Sequence, residues 1–138
     1  MAEEITTPSN TEQALVQLLE RHTEIKLAIL FGSLAHGHAK PDSDVDLAVL
    51  CEAAFSPEYK YQLMQEVSSA TSRPVDIVDL ATVGGEIFRI ILTTGKRIKC
   101  TDNNAWAETM KRMWFHEADF MPYRRRILKE RRQAWIGT

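Results

Sequence analysis

The chain is short of cysteine, of long apolar runs and of net charge, and each shortage removes a class of protein. Two cysteines in 138 residues, Cys51 and Cys100, make neither a disulfide framework nor a cysteine-based metal cluster. They read as buried thiols in a reducing, cytoplasmic setting. The longest apolar runs resemble Leu27 to Phe31, far below the roughly 18 residues that cross a bilayer. The opening MAEEITTPSN is acidic and polar, the wrong chemistry for a secretory signal. Lys plus Arg number 17 and Asp plus Glu 19, a net charge of -2, which argues against a nucleic-acid coat or a polybasic membrane binder. Only six glycines and five prolines are present, and no Pro/Gly/Ser run divides the chain. One domain over residues 1–138 is the expectation.

What is present is uneven. Residues 1–110 carry a net charge of -7 and residues 111–138 one of +5, so an acidic body ends in a basic tail. Apolar spacing predicts a helix opening at Asn10 or Thr11 and carrying Ala14, Leu15, Leu18 and Leu19. Lys26–Phe31 reads as a buried strand stopped by Gly32-Ser33, and Asp44–Leu50 as a second strand after a polar loop. Ser56-Pro57 has the chemistry of an N-cap with proline at the first helical position, opening a helix to about Ala70. A third strand, Val75–Leu80, is followed by a helix over Val83–Leu92 ended by Gly95, a short strand Arg97–Cys100, and a long helix from about Asn104 to Trp135, bent or broken near Pro122. Alternating elements of this kind predict an α/β fold, a small central sheet flanked by helices, with a long helical segment at the C-terminus.

Two short segments carry the chemistry. Phe31-Gly32-Ser33 closes the first strand, and ten residues separate it from Asp44-Val45-Asp46-Leu47. Gly32 lacks a Cβ, so a bulky ligand can approach its backbone. Ser33 offers a hydroxyl and an amide at the expected start of a short helix, a setting suited to phosphate. Asp44 and Asp46 are two apart on a strand, so both side chains leave one face with Cα atoms roughly 6.5–7 Å apart. Such a pair is repulsive unless a cation lies between, and Mg²⁺ takes oxygen ligands that it shares with substrate phosphates. Asp76, in the otherwise apolar third strand, completes the set if that strand lies beside the second, and it can accept a proton from an attacking hydroxyl. Asp79 falls on the other face or beyond the strand end and is left out. His36-x-His38 has no third ligand near it, and His22 and His116 read as incidental.

With GSLAHG, SDVDLAVL and PVDIVDL in this order, the chain resembles the minimal nucleotidyltransferases of the DNA polymerase β superfamily over roughly Leu27 to Leu80. The resemblance implies a Mg²⁺-dependent nucleotidyltransferase with ATP as substrate, catalytic and metal-binding Asp44, Asp46 and Asp76, and nucleotide-binding Gly32 and Ser33. It further implies an antitoxin that transfers AMP to a tyrosine of a HEPN-type RNase toxin. A small-molecule nucleotidyltransferase of the aminoglycoside type, and an antitoxin acting by binding alone, are the alternatives. Relatives often carry arginine where this chain has His36, which makes a phosphate contact there depend on protonation.

In the tail, Met113-Trp114, Phe120-Met121, Ile127-Leu128 and Ala134-Trp135 repeat an apolar pair every seven residues beside a run of arginines. Trp114, Phe120, Met121, Arg124, Leu128 and Trp135 are therefore candidate partner-binding residues. The opposing expectation is a helix packed on its own domain.

Overall fold

The computed structural model describes residues 10–35 and 43–115. The tail beyond 115, with Phe120, Met121, Arg124, Leu128 and Trp135, lies outside the described residues, as do His36, His38 and His116. The elements run α1 (Asn10–Glu20), β1 (Ile25–Phe31), β2 (Val45–Cys51), α2 (Pro57–Thr71), β3 (Val75–Asp79), α3 (Gly85–Thr94) and β4 (Lys96–Cys100), then α4 over residues 103–115. Among the described residues no helix is long and apolar enough to cross a membrane.

Four strands form one mixed sheet in the order β3-β2-β1-β4. β1 is antiparallel to both β2 and β4, while β2 and β3 are parallel and joined through α2. Each face of the sheet has its own core. Leu15, Leu18 and Leu19 of α1 and Leu63 and Val67 of α2 pack on one face with Ala28, Leu30, Val45, Leu47, Val49 and Ile77. On the other face, Phe88, Ile91 and Leu92 of α3 and Met113 of α4 pack with Leu27, Ile29, Phe31 and Ala48. From Leu27 onward β1 alternates strictly between these cores, as period-two side chains must. The register shifts between Ile25 and Leu27, so both are buried on opposite faces although they are two residues apart.

The helix ends follow local chemistry. Ser56 caps α2, its side chain accepting from the Tyr59 N–H at 3.1 Å with Pro57 in the first turn, and Ser72 closes it in the left-handed region at φ 56°. Lys99 Nζ donates to the carbonyls of Leu19 and His22 at the end of α1, at 2.7 and 2.8 Å. Asp102 Oδ1 accepts from the amides of Asn104 and Ala105 at the start of α4. The helix expected from Val83 begins two residues later, because Thr82 and Val83 N–H groups donate back to the Asp79 carbonyl in a turn. Cys51 and Cys100 are half-buried rather than buried, both at strand ends.

Arg112 of α4 fastens that helix to the β3–α3 connection. Its guanidinium donates to the carbonyls of Leu80, Ala81 and Val83 and lies 4.3 Å from the centre of the Phe88 ring. Arg112→Met removes the donor from three carbonyls at once. Chemical denaturation is expected to show a loss of about 1.5–3 kcal/mol, the range for hydrogen bonds to a charged group.

His22 is not incidental. Nδ1 meets Glu24 Oε2 at 2.9 Å and Nε2 meets Glu66 Oε1 at 2.8 Å, while the Tyr59 hydroxyl donates to Glu24 at 2.7 Å. Burial lowers the imidazole pKa, but the hydrogen bonds to Glu24 and Glu66 outweigh it and the net shift is upward. The Tyr59 hydroxyl, opposed by burial and aided by His22, holds the Glu24 carboxyl at about 2. The raised histidine stabilises fully below its ordinary 6.5 and stops doing so as pH climbs through its folded value. The lowered glutamate stabilises above its ordinary 4.5 and stops doing so as pH falls toward about 2. The network therefore contributes most between these ordinary values. His22→Gln is expected to lower the melting temperature more at about pH 5.5 than at about pH 8.5, a comparison that thermal unfolding reads directly.

Candidate active site

β1 ends where β2 begins, because the two are antiparallel, and Phe31 sits opposite Asp46. β3 starts at that same end, because it is parallel to β2, and Asp46 sits opposite Asp76. Gly32, Asp46 and Asp76 thus come from three adjacent strand ends. Ala48 belongs to the core beneath α3 and α4, so Asp46, two residues earlier, leaves the sheet on that face, and Asp76 beside it does likewise. Asp44, just before β2, is exposed, as is Asp76, while Asp46 is half-buried between them.

Gly32 has φ +77°, and a Cβ there would overlap Asp46 Oδ2 and lie 3.3 Å from its Cγ. The Asp46 carboxylate rests directly on the Gly32 backbone. Glycine is favoured here by the left-handed backbone, and a Cβ would in addition displace the flexible end of the Asp46 side chain. Ser33 follows in a turn closed by the Ala35 N–H on the Gly32 carbonyl at 3.1 Å. Residues 33–35 lie in this turn, and the segment over which the expected short helix would continue lies outside the described residues.

The Asp46 carboxyl is raised from its ordinary value, first by burial, then by the charges of Asp76 and Asp44. Three like charges converge on this corner, and a cation would relieve them. Among the described residues no group of three His, Cys, Asp or Glu side chains is gathered tightly enough to hold a metal by itself. An open carboxylate set of this kind fits Mg²⁺, which uses one or two carboxylates and completes its shell with water and substrate phosphates.

Other residues fall elsewhere. Asp79 is structural: Oδ2 accepts from the Phe55 N–H at 3.1 Å and Oδ1 from the Ala81 N–H at 2.9 Å. Met113 and Trp114, adjacent in the tail pattern, part company on α4. Met113 is 3% exposed in the core and Trp114 is 61% exposed, with Phe115 at 63% beside it. Sequence reasoning passed over Phe115, and over Arg73, whose Nη1 donates to the Ser43 carbonyl at 3.0 Å. The signal for Arg73 was a lone arginine directly before the proline that opens the Asp76 strand.

Three adjacent strand ends bring Gly32, Asp46 and Asp76 together as the candidate active site. Residues 13–104 match the polymerase β nucleotidyltransferase family, and the chain belongs to that family. It is 31% identical over 88 residues to the protein adenylyltransferase MntA of Shewanella oneidensis, covering 63% of this chain and 63% of that protein. The match therefore spans less than two thirds of the length of this curated relative. A crystal structure of a toxin–antitoxin with AMP-PNP superposes with a TM-score of 0.69 at 25% identity, covering 85% of this chain and 98% of that one. The tri-AMPylated HEPN toxin of Shewanella oneidensis in complex with its MNT antitoxin supplies a further similar chain, with a TM-score of 0.64 at 23% identity over 86% of this chain and 96% of that one.

Proposed function

We propose that this chain is an antitoxin that transfers AMP from ATP to a tyrosine of a HEPN-type RNase toxin, in the cytoplasm. The observation that carries the reading is the Asp46 carboxylate seated on Gly32 with Asp44 and Asp76 beside it. Its likeness to an adenylyltransferase, and to chains solved with AMP-PNP or with an AMPylated toxin, supports the acceptor class. Asp44, Asp46 and Asp76 would hold Mg²⁺, which when bound supplies positive charge to the triphosphate. Gly32 and Ser33 receive the triphosphate at the end of β1. Exposed Asp76 takes the proton of the tyrosine hydroxyl as its oxygen bonds to the α-phosphorus, and the bond to pyrophosphate breaks.

Mass spectrometry of a co-expressed HEPN partner tests the reading. Tyrosine carrying one or more AMP units, dependent on ATP and Mg²⁺, is the expected result, and an unmodified partner that is still neutralised would overturn it. We further propose that Trp114 with Phe120, Met121, Arg124, Leu128 and Trp135 contacts this partner, supported by the exposure of Trp114 and its neighbour Phe115. Trp114→Ala is expected to weaken partner capture by about 2 kcal/mol, measured by calorimetry, with the melting temperature unchanged.

A further inference from the structure

The backbone around Asp44 is tied on both sides to the same dipeptide. The peptide before Asp44 offers the Ser43 carbonyl, which accepts from Arg73 Nη1 at 3.0 Å. The peptide after Asp44 offers the Val45 N–H, which donates to the Pro74 carbonyl at 2.8 Å. Those two peptide planes define the φ and ψ of Asp44. Holding both fixes the direction in which its side chain leaves the chain.

The same dipeptide stands two residues before Asp76. α2 ends at Ser72, in the left-handed region at φ 56°, and a residue preceding proline is restricted to extended backbone. Arg73 is thereby presented at a defined angle at the head of β3. Residues 43–45 and 73–75 form the first rung of the parallel pair, with Val45 opposite Val75 and Asp46 opposite Asp76. Asp44 precedes β2 and is exposed, so apolar packing does not hold it as Val45 and Leu47 are held.

We propose that Arg73 is a positioning residue: through the Ser43 carbonyl it sets the Asp44 carboxylate against Asp46 and Asp76, and so sets the affinity of this corner for a divalent cation. This rests on the proposed nucleotidyltransferase reading. An arginine suits the role because its guanidinium holds a carbonyl with fixed directionality, which a lysine ammonium does only as a point charge.

The test is a titration of Mn²⁺ in the presence of AMP-PNP, followed by electron paramagnetic resonance, on the full chain and on Arg73→Met, Arg73→Lys, Asp44→Asn and the Arg73→Met/Asp44→Asn double variant. Amide hydrogen exchange at Asp44 and Val45 and the melting temperature are read in parallel. Arg73→Met is expected to lower Mn²⁺ affinity about tenfold, as loss of a residue that orients metal ligands does. It should also speed exchange at Val45, and Arg73→Lys should recover part of both. In the Asp44→Asn background the further loss from Arg73→Met should shrink to less than twofold, since the two act through one group. Wild-type Mn²⁺ affinity in Arg73→Met would overturn the positioning role while leaving the proposed function standing. Equal, additive losses in both backgrounds would overturn it too, because Arg73 would then act elsewhere. Absence of Mn²⁺ binding by the unaltered chain would overturn the nucleotidyltransferase reading and the positioning role together.

Discussion

Asp46→Asn is expected to cut AMP transfer by roughly 10²–10⁴-fold, the usual loss when one charged group of a catalytic set is removed. Asp46 is the most enclosed of the three acids, with Asp76 opposite it and Asp44 two residues before. Its charge is opposed by burial first and by the two neighbouring carboxylates next. A raised carboxyl favours the fold less as pH rises through its folded value, so the ionised side chain strains the metal-free protein at neutral pH. The variant is therefore expected to melt slightly above the parent in EDTA while being nearly inactive with Mg²⁺. Scanning calorimetry and a single-turnover transfer assay together check both halves. A variant that transfers AMP at the parent rate removes Asp46 from the chemistry.

Gly32→Val is expected to abolish transfer as well, but with the opposite effect on stability. Its Cβ would overlap the Asp46 carboxylate, and φ +77° is a conformation that β-branched residues strongly resist. The left-handed backbone alone costs about 1–2 kcal/mol for a residue with a Cβ. Asp46 must move to relieve the overlap, and its carboxylate then leaves its place against Gly32. The melting temperature should fall while transfer falls by a factor comparable to that of Asp46→Asn. Gly32→Ala separates the two costs, since it keeps the first contact and drops the branch. Parent-like transfer in Gly32→Ala would show that the carboxylate finds its place without resting on this backbone.

These two variants sit close in space and pull stability in different directions, a relation that the linear chain does not contain. From the spacing alone, Gly32 reads as an opening for a ligand; its first contact is Asp46. Ser33 reads as the start of a helix, and the described residues place it in a turn whose Ala35 N–H returns to the Gly32 carbonyl, the rest of that segment lying outside them. Met113 and Trp114 read as one apolar pair, yet consecutive residues on a helix point about 100° apart. One therefore enters the core and the other faces solvent. His22 read as incidental because Glu66, which joins Glu24 in holding its ring, is far along the chain.

What the sequence determined by itself is whatever depends on near neighbours. Ser56-Pro57 opened α2 and Gly95 closed α3, since each follows from the conformations of a few adjacent residues. The mixed α/β character and the strands of the site were legible for the same reason. Only the tertiary structure decided that β3 lies parallel beside β2 and brings Asp76 opposite Asp46, that a register shift lets Ile25 and Leu27 enter opposite cores, and that Arg73 reaches Ser43. Those are choices among pairings of distant segments. They are settled by burying both faces of the sheet at once beneath α1 and α2 and beneath α3 and α4, a condition that no single stretch of sequence expresses.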